Sequence, residues 1–426
     1  MEHSELKSVR GWIVIASSFL FTFFHLGSFK ALGVFVPQFE EQLSIGVGAV
    51  GSIVSFCGAL RFLIGPVQSR LANVVSARVL AMVSGILTGL GYICSAFSTS
   101  GITLALSMTL LSLGLGVPMV AYIKIGRQYF NVNFTLYSSI TFTGGAVGMM
   151  ILPPLSEFFI QTYGTQMALI LLGALSFNLC VGGALLKPPD ETLTSRPTSR
   201  KNYEQLDSDR NDTSLATSGH IEAILNTILS WFGVSAMRKR PVLFAYYLAF
   251  LLWNISLAGW IIFLVPYTIG LGFPAQQASF MSTLGGVGTL VGRIIMFAFP
   301  DQTLNSHRLQ FMMLSIGGAA SIFLYPFVNA YWLFATLSFF AGLFLGTPVP
   351  VAMVMIKFVV ADEGEDFAEA TGLLHTSYGI GTLVAGPIVG SIYDITGSYH
   401  IGFFIMAALE AFAAILAIAK PKADTC

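Results

Sequence analysis

Charge is scarce in this chain. Only 10% of its 426 residues are charged, while 55% are hydrophobic; an ordinary soluble domain has about 25% charged residues. This deficit excludes a soluble globular protein, because too few charged side chains remain to cover its surface. The 21 basic and 21 acidic residues cancel. The chain therefore lacks the basic excess with which a dedicated nucleic-acid-binding protein holds phosphates, and we expect no nucleic-acid partner.

Cysteine is scarce as well. Four cysteines are too few and too scattered for a disulfide scaffold, and none has the spacing of a zinc site: Cys57, Cys94, Cys180 and Cys426. The sequence also lacks a phosphate-binding loop or a catalytic constellation, so we expect neither an enzyme nor a bound cofactor or metal. The class that remains is a polytopic membrane protein.

Long apolar runs dominate the sequence instead. About 20 apolar residues are needed to cross the hydrocarbon of a bilayer, and twelve candidate segments follow one another along the chain. They cover residues 11–37, 46–69, 78–98, 101–124, 134–160, 165–187, 241–269, 274–299, 309–328, 331–358, 368–393 and 400–419. The predicted fold class is therefore an all-α polytopic membrane protein with twelve transmembrane helices.

Lysine and arginine are distributed unevenly about these segments. Three of the 21 basic residues, Lys30, Arg61 and Arg293, fall well inside them, and the other 18 lie at segment ends, connections or termini on one side. Since basic connections stay in the cytoplasm, we expect both termini and the central connection to be cytoplasmic. The localisation we predict is that of a multi-pass protein of the plasma membrane.

The connection between the sixth and seventh segments has a different composition. Residues 188–218 are polar and almost free of aliphatic side chains, which is typical of a disordered linker. Apolar residues then recur at helical spacing near residues 219–235. This pattern indicates an interfacial helix on the cytoplasmic leaflet or a short helix packed on protein. We predict three regions: an N-terminal six-helix bundle (1–187), a cytoplasmic linker (188–240) and a C-terminal six-helix bundle (241–426).

The two halves repeat one another's glycines and prolines. The fifth segment and the eleventh share one spacing at an offset of 233 residues: Gly148, Pro154 and Gly164 against Gly381, Pro387 and Gly397. The fourth segment contains LGLGVP and the tenth contains LGTPVP. Together these echoes indicate two pseudo-symmetric bundles of six helices. Interrupted helices at corresponding places in two halves point to the binding site of a transporter.

The cations inside the segments are candidate functional residues. A charge in hydrocarbon costs at least about 2.5–3.5 kcal/mol, and the two acids inside segments, Glu157 and Glu410, cannot pair all three cations. A surplus positive charge in a cavity favours an anion, and the planar guanidinium matches a carboxylate. We expect Arg293 to bind the carboxylate of a small organic anion and Lys30 to attract or relay that anion on the outer side. Ion pairing between helices is the alternative for each.

Further residues complete the predicted substrate-binding set. Arg61 precedes Arg293 by 232 residues, which indicates a symmetry-related place; substrate contact and a structural ion pair stay equally open for it. Phe62 follows Arg61 directly, and Asn254 lies in the seventh segment. Tyr378, in the eleventh, shares a helical face with His375. We expect Asn254 and Tyr378 to contact the substrate.

Proton coupling has three candidate residues. Histidine changes its charge near neutral pH, and His25 and His375 lie inside the first and eleventh segments. Lys30 is the third candidate, because a desolvated ammonium loses its proton more readily. Packing is the alternative for both histidines, and a carrier without proton coupling needs none of the three.

Several short motifs resemble those of the monocarboxylate transporters of the major facilitator superfamily. They are Gly11-Trp12, residues 30–39 (KALGVFVPQF), Gly65-Pro66-Val67, Tyr129-Phe130, residues 151–155 (ILPPL), residues 179–185 (LCVGGAL), Gly292-Arg293, residues 370–373 (ATGL), Gly386-Pro387 and residues 393–399 (YDITGSY). The resemblance covers both halves and fails mainly in the linker. It implies the major facilitator fold and supports the roles given to Lys30 and Arg293. It also implies that Phe62 contacts the substrate, because the family often has an aromatic residue near the substrate at this position; packing is the alternative. It also implies a frequent partner of this family, a single-span glycoprotein chaperone.

The chain departs from the family pattern at one informative position. The family often has an aspartate four residues before the arginine of the eighth segment, and proton coupling is attributed to that pair. Thr289 occupies this position here. The departure favours a carrier that does not couple protons by the usual route.

Three functions are open to a chain with these features. The first is a secondary transporter that moves small monocarboxylates, such as lactate or pyruvate, by alternating access, with or without protons. The second is an uncoupled facilitative carrier of amino acids, creatine-like compounds or hormones, which Thr289 favours. The third is a membrane sensor or scaffold that transports nothing. Saturable substrate flux separates the first two from the third.

Overall fold

A computed structural model describes residues 9–130, 134–187, 240–297, 303–360 and 365–419. Every regular element in these ranges is helical. A chain that crosses lipid is expected to be helical, because a helix satisfies its own backbone hydrogen bonds where water is absent. The helix predicted near residues 219–235 lies outside the described residues.

The described part of the first half contains nine helices. They are α1 (Val9–Leu32), α2 (Val36–Leu43), α3 (Val47–Leu63), α4 (Gly65–Val74), α5 (Ala77–Ala96), α6 (Gly101–Gly116), α7 (Met119–Tyr129), α8 (Phe134–Ser176) and α9 (Asn178–Leu185). A 3-10 turn, Gly33–Phe35, joins α1 to α2. Two helices meet within α8 at Gly164, where φ is 80°. Glycine adopts this left-handed conformation without the steric penalty of a Cβ.

The described part of the second half contains seven helices. They are α10 (Val242–Gly270), α11 (Ala275–Phe297), α12 (Leu304–Leu324), α13 (Tyr331–Gly346), α14 (Pro348–Val360), α15 (Glu365–Thr396) and α16 (His400–Leu416). A 3-10 turn, Tyr325–Phe327, follows α12. Gly397 follows α15 with φ 68°. It is the repeat counterpart of Gly164, so both halves turn at a left-handed glycine.

The segments that can cross a membrane agree in number with the prediction. Nine stretches of the described chain are long and apolar enough. One of them, Ile140–Leu185, has 46 residues and carries two spans, one on each side of Gly164. The shorter apolar helices α3 and α16 supply the second and twelfth spans. The fourth and tenth spans are each broken at the repeated Gly-Pro motif, where α6 gives way to α7 and α13 to α14.

The two halves meet along two pairs of helices. α3 packs against α15, and α8 packs against α11; each pair corresponds to the other under the repeat. Glycines bring α3 and α15 into backbone contact, as small residues do in membrane helices. A Cβ placed on Gly390 would lie 2.6 Å from Cα of Gly48. We call the end at which α1 begins the terminal side, and the end at which Gly164 and Gly397 turn the loop side. The Gly48–Gly390 contact closes the loop side.

Candidate functional site

A cavity lies between the two halves, towards the terminal side. It encloses about 1230 Å³ of empty space, including the part that opens to solvent. Helices α1, α3, α7 and α8 line it from the first half, and α10, α11, α13, α14 and α15 line it from the second. A site shared by two pseudo-equivalent bundles is the usual arrangement in secondary transporters.

Arg293 is the one arginine among the described residues that line this cavity, and those residues include no lysine, aspartate or glutamate. Its Nη1 donates a hydrogen bond of 2.7 Å to the carbonyl of Phe142 on α8. Its Nε has no hydrogen-bond partner within the described chain. The side chain is only 7% exposed. A buried guanidinium with a donor unused is suited to hold a carboxylate.

Thr289 lies one helical turn before Arg293 and also lines the cavity. Its hydroxyl is within hydrogen-bond distance of the carbonyls of Gly285 (3.0 Å) and Gly342 (2.9 Å). A threonine cannot ionise, so this neighbour leaves the charge of Arg293 uncompensated. At the position where the family often has an acid, this chain therefore has a threonine whose hydroxyl links α11 to α13 through a hydrogen bond.

Five other predicted residues line the same cavity. They are His25, Phe62, Asn254, His375 and Tyr378. Nδ1 of His25 donates to the carbonyl of Leu115 at 2.8 Å, because a carbonyl oxygen only accepts. Oδ1 of Asn254 accepts a hydrogen bond of 2.7 Å from the Thr382 hydroxyl. The structure thus brings most of the candidate residues that were predicted from the sequence to one cavity.

Lys30 does not belong to the described lining. Its Nζ lies 3.2 Å from the centroid of a ring of Trp260 and has no hydrogen-bond partner among the described residues. This is a cation–π contact. Trp260 itself lines the cavity, so one indole contacts both Lys30 and the site. Lys30 belongs to α1 and Trp260 to α10, and their contact joins the two halves beside the closed loop side.

Arg61 also lies outside the described lining. Its Nη1 donates to the backbone carbonyl of His25, and its Cζ lies 4.7 Å from the centroid of the Phe29 ring. The side chain is 1% exposed. Both contacts are made to α1, so Arg61 connects two helices of the same half.

The two acids inside the predicted segments are likewise outside the lining. Oε1 of Glu157 accepts a hydrogen bond of 3.0 Å from Gln161 on the same helix. Glu410 is fully buried on α16, beside the hydroxyls of Ser256 and Ser315. Neither carboxylate is available to compensate Arg293 within the cavity.

Sequence reasoning missed the two tryptophans of the site, Trp253 and Trp260. Both line the cavity, and each is fixed through its indole N–H, which donates to the carbonyl of Leu345 in one case and to the hydroxyl of Tyr325 in the other, both at 3.1 Å. Their spacing of seven residues places them on one face of α10. This seven-residue spacing is the feature of the sequence from which their shared position could have been predicted.

Comparisons with known proteins agree with this architecture. The family model of the Major Facilitator Superfamily matches residues 18–327 and 302–425. Monocarboxylate transporter 12 of Xenopus laevis is 26% identical over 410 residues, which cover 95% of this chain and 87% of the relative. Monocarboxylate transporter 2 of Homo sapiens is 24% identical over 417 residues, with coverage of 95% and 84%.

A solved structure shows the same fold. A crystal structure of a mutant of the nucleoside transporter NupG superposes with a TM-score of 0.71, covering 96% of this chain and 99% of that one, at 14% sequence identity. The predicted all-α major facilitator fold is confirmed. The chain therefore belongs to the major facilitator superfamily, as a transporter and not an enzyme, and within it is a divergent relative of the monocarboxylate transporters.

Proposed function

We propose that this protein is a secondary transporter of organic monocarboxylates and that Arg293 binds the substrate carboxylate. One observation carries the proposal: the described lining has a single arginine and no acid to neutralise it. A substrate carboxylate would supply the missing negative charge in a low-dielectric site, where such pairing is strong. The names of the relatives point in the same direction.

The number of cations in the cavity favours one carboxylate per substrate. Lys30 and Arg61 are both outside the described lining, so a second carboxylate would meet no arginine or lysine there. An unpaired carboxylate taken out of water carries a large desolvation cost. A monoanion therefore fits this cavity better than a dianion.

We propose that the structure is the state with the site open on the terminal side. The loop side is closed by the Gly48–Gly390 contact and by Lys30 on Trp260. In the opposite state these contacts would separate, and Lys30 would then meet the incoming anion, as proposed from the sequence. The terminal side carries Arg10, Lys124 and Lys357, and this bias supports a cytoplasmic orientation of that side and of both termini.

Proton coupling is proposed for His375 and His25, which line the cavity, with Lys30 as a third group at the closed side. Uncoupled transport is the alternative, and Thr289 favours it. Uptake into proteoliposomes at imposed pH gradients, with the membrane potential clamped, separates them. Rates that rise with an inward proton gradient support coupling; equal rates at all gradients exclude a symporter.

A plasma-membrane location and a single-span glycoprotein chaperone are supported by the family resemblance alone. We propose both for this protein. Surface biotinylation in cells tests the first. Purification of the tagged protein from mild detergent tests the second, and a preparation without any single-span glycoprotein would reject the partner.

Counterflow in proteoliposomes tests the main proposal. Vesicles loaded with unlabelled pyruvate or phenylpyruvate should accumulate the labelled compound, and Arg293→Ala should lose this accumulation. Arg240→Ala is a matched control: Arg240 sits at the start of the same half, donates to the carbonyl of Val359 and is outside the described lining. No saturable flux of any of these carboxylates, nor of amino acids or creatine, by the wild-type protein would favour the sensor or scaffold. Saturable flux of amino acids or creatine alone would favour the facilitative carrier.

A further inference from the structure

Five aromatic side chains form a continuous wall of the cavity, which we call the ring wall: His25, Phe62, Trp253, His375 and Tyr378. Phe62 stacks on His375 with 6.3 Å between ring centroids and an interplanar angle of 24°. It also meets Tyr378 edge-to-face at 6.1 Å and His25 at 6.2 Å. Trp253 meets Tyr378 at 5.4 Å. The wall is therefore one cluster of mutually contacting rings.

Both halves of the protein contribute to the ring wall. His25 and Phe62 come from α1 and α3, whereas Trp253, His375 and Tyr378 come from α10 and α15. A substrate that covers the wall touches both bundles at once. Such contact lets the binding energy of the substrate act on the movement of one bundle against the other.

The ring wall includes a polar atom without a partner. The hydroxyl of Tyr378 makes no hydrogen bond within the described chain, although the residue is only 3% exposed. Buried polar groups are nearly always hydrogen-bonded, so an unpaired one in a cavity points to a ligand. The ligand would offer this hydroxyl an oxygen.

The cavity is poorly suited to an ammonium group. Among its described lining residues there is no aspartate or glutamate, and Arg293 already supplies a positive charge. An amino acid would bring a second cation with no carboxylate to meet it. Such an unpaired charge costs free energy and selects against the amine.

From these features we infer that the preferred substrates are aromatic monocarboxylates that carry a further oxygen and no amine. The aromatic body would lie on the ring wall, the carboxylate on Arg293 and the further oxygen near the hydroxyl of Tyr378. This inference rests on the proposed function, since it assigns the substrate class of that same site. It differs from the expectation of lactate or pyruvate, which have no ring to cover the wall.

Competition in proteoliposomes tests the inference with three related compounds. Phenylpyruvate has the ring, the carboxylate and a keto oxygen; pyruvate lacks the ring; phenylalanine replaces the keto oxygen with an ammonium. Phenylpyruvate should inhibit uptake of labelled phenylpyruvate at concentrations about tenfold lower than pyruvate, as expected for favourable ring contacts. Phenylalanine should inhibit least.

Two variants assign the preference to the ring wall. Phe62→Leu should reduce the ratio of phenylpyruvate to pyruvate affinity by about threefold or more. Phe344→Leu is the control, because its ring stacks on Phe340 at 6.1 Å outside the described lining and should leave the ratio unchanged. Tyr378→Phe should lower the affinity for phenylpyruvate more than that for 3-phenylpropionate, which lacks the keto oxygen.

The outcomes separate this inference from the proposed function. Equal inhibition by pyruvate and phenylpyruvate, with flux that still depends on Arg293, overturns the aromatic preference and leaves the carrier. Inhibition by phenylalanine equal to that by phenylpyruvate overturns the exclusion of amines. If Arg293→Ala transports every carboxylate as well as the wild-type protein does, the proposed function itself is overturned.

Discussion

Arg61 and Arg293 occupy related places in the two halves, yet their surroundings differ. Both guanidinium groups are buried, and each donates Nη1 to a backbone carbonyl. Arg61 bonds to His25 within its own half and lies over the ring of Phe29, away from the cavity lining. Arg293 reaches across to Phe142 in the other half and lines the cavity.

The difference shows that burial alone does not distinguish an arginine that lines the cavity from one that does not. An ion held in a membrane protein is expensive wherever it lies, so both arginines look functional in the sequence. The two guanidinium groups differ in what they contact: Arg61 contacts α1 of its own half, and Arg293 lines the cavity and bonds to α8 of the other half. In this conformation the described lining of the cavity has an arginine from the second half only, so the two halves contribute differently to the cavity.

Among substitutions that do not truncate Arg293, its replacement by lysine should give the largest effect. Arg293→Lys keeps a positive charge but loses the planar fork that matches a carboxylate. We expect the affinity for the monocarboxylate to fall about tenfold, within the range of a hydrogen bond to a charged group. Equilibrium binding to the purified protein measures it. Unchanged affinity would mean that a point charge suffices and that the fork is not used.

An acid next to Arg293 should reduce binding in a pH-dependent way. Thr289→Asp places a carboxylate one turn from Arg293 that competes with the substrate while it is ionised. Affinity should fall at neutral pH by somewhat less than the tenfold effect above, about fivefold, and recover as acidification protonates the new acid. Thr289→Asn, of similar size but unable to ionise, is the control. A loss of affinity that is the same at every pH would contradict this electrostatic account.

Removing the charge of Arg61 should have the smallest effect on the substrate. Arg61→Met keeps an unbranched side chain of comparable length beside Phe29 and His25. We expect the affinity to change less than about threefold, since no direct hydrogen bond to the substrate is lost. Uptake kinetics at matched protein levels measure KM. A rise in KM as large as that of Arg293→Lys would place Arg61 in the binding site and abolish the contrast between the two arginines.

The sequence predicts the fold well, because its signals are local. Apolar runs locate the spans, and the motifs ending at Pro118 and Pro350 mark where the fourth and tenth spans break. The left-handed turns fall at Gly164 and Gly397, the same pair that the repeat identifies. Each feature follows from hydrogen bonding in lipid or from the backbone freedom of glycine.

The site is only partly predictable from the sequence, because the spans are apolar on most of their surface. A helix that is hydrophobic all round gives no periodicity from which the direction of a side chain can be read. The sequence therefore identifies Lys30, Arg61 and Arg293 as unusual without distinguishing their surroundings. Lys30 rests on Trp260, and that partner lies 230 positions away in the chain. Only the packing of α1 against α10 reveals it.

Binding of labelled carboxylates to the purified protein is the decisive test of whether Arg293, and not Arg61, holds the substrate carboxylate. We expect the wild-type protein to bind pyruvate or phenylpyruvate saturably, Arg61→Met to bind the same compound with an affinity within about threefold, and Arg293→Ala to lose saturable binding. The melting temperature in detergent confirms that all three are folded. Wild-type affinity in a folded Arg293→Ala protein would show that Arg293 does not bind the carboxylate.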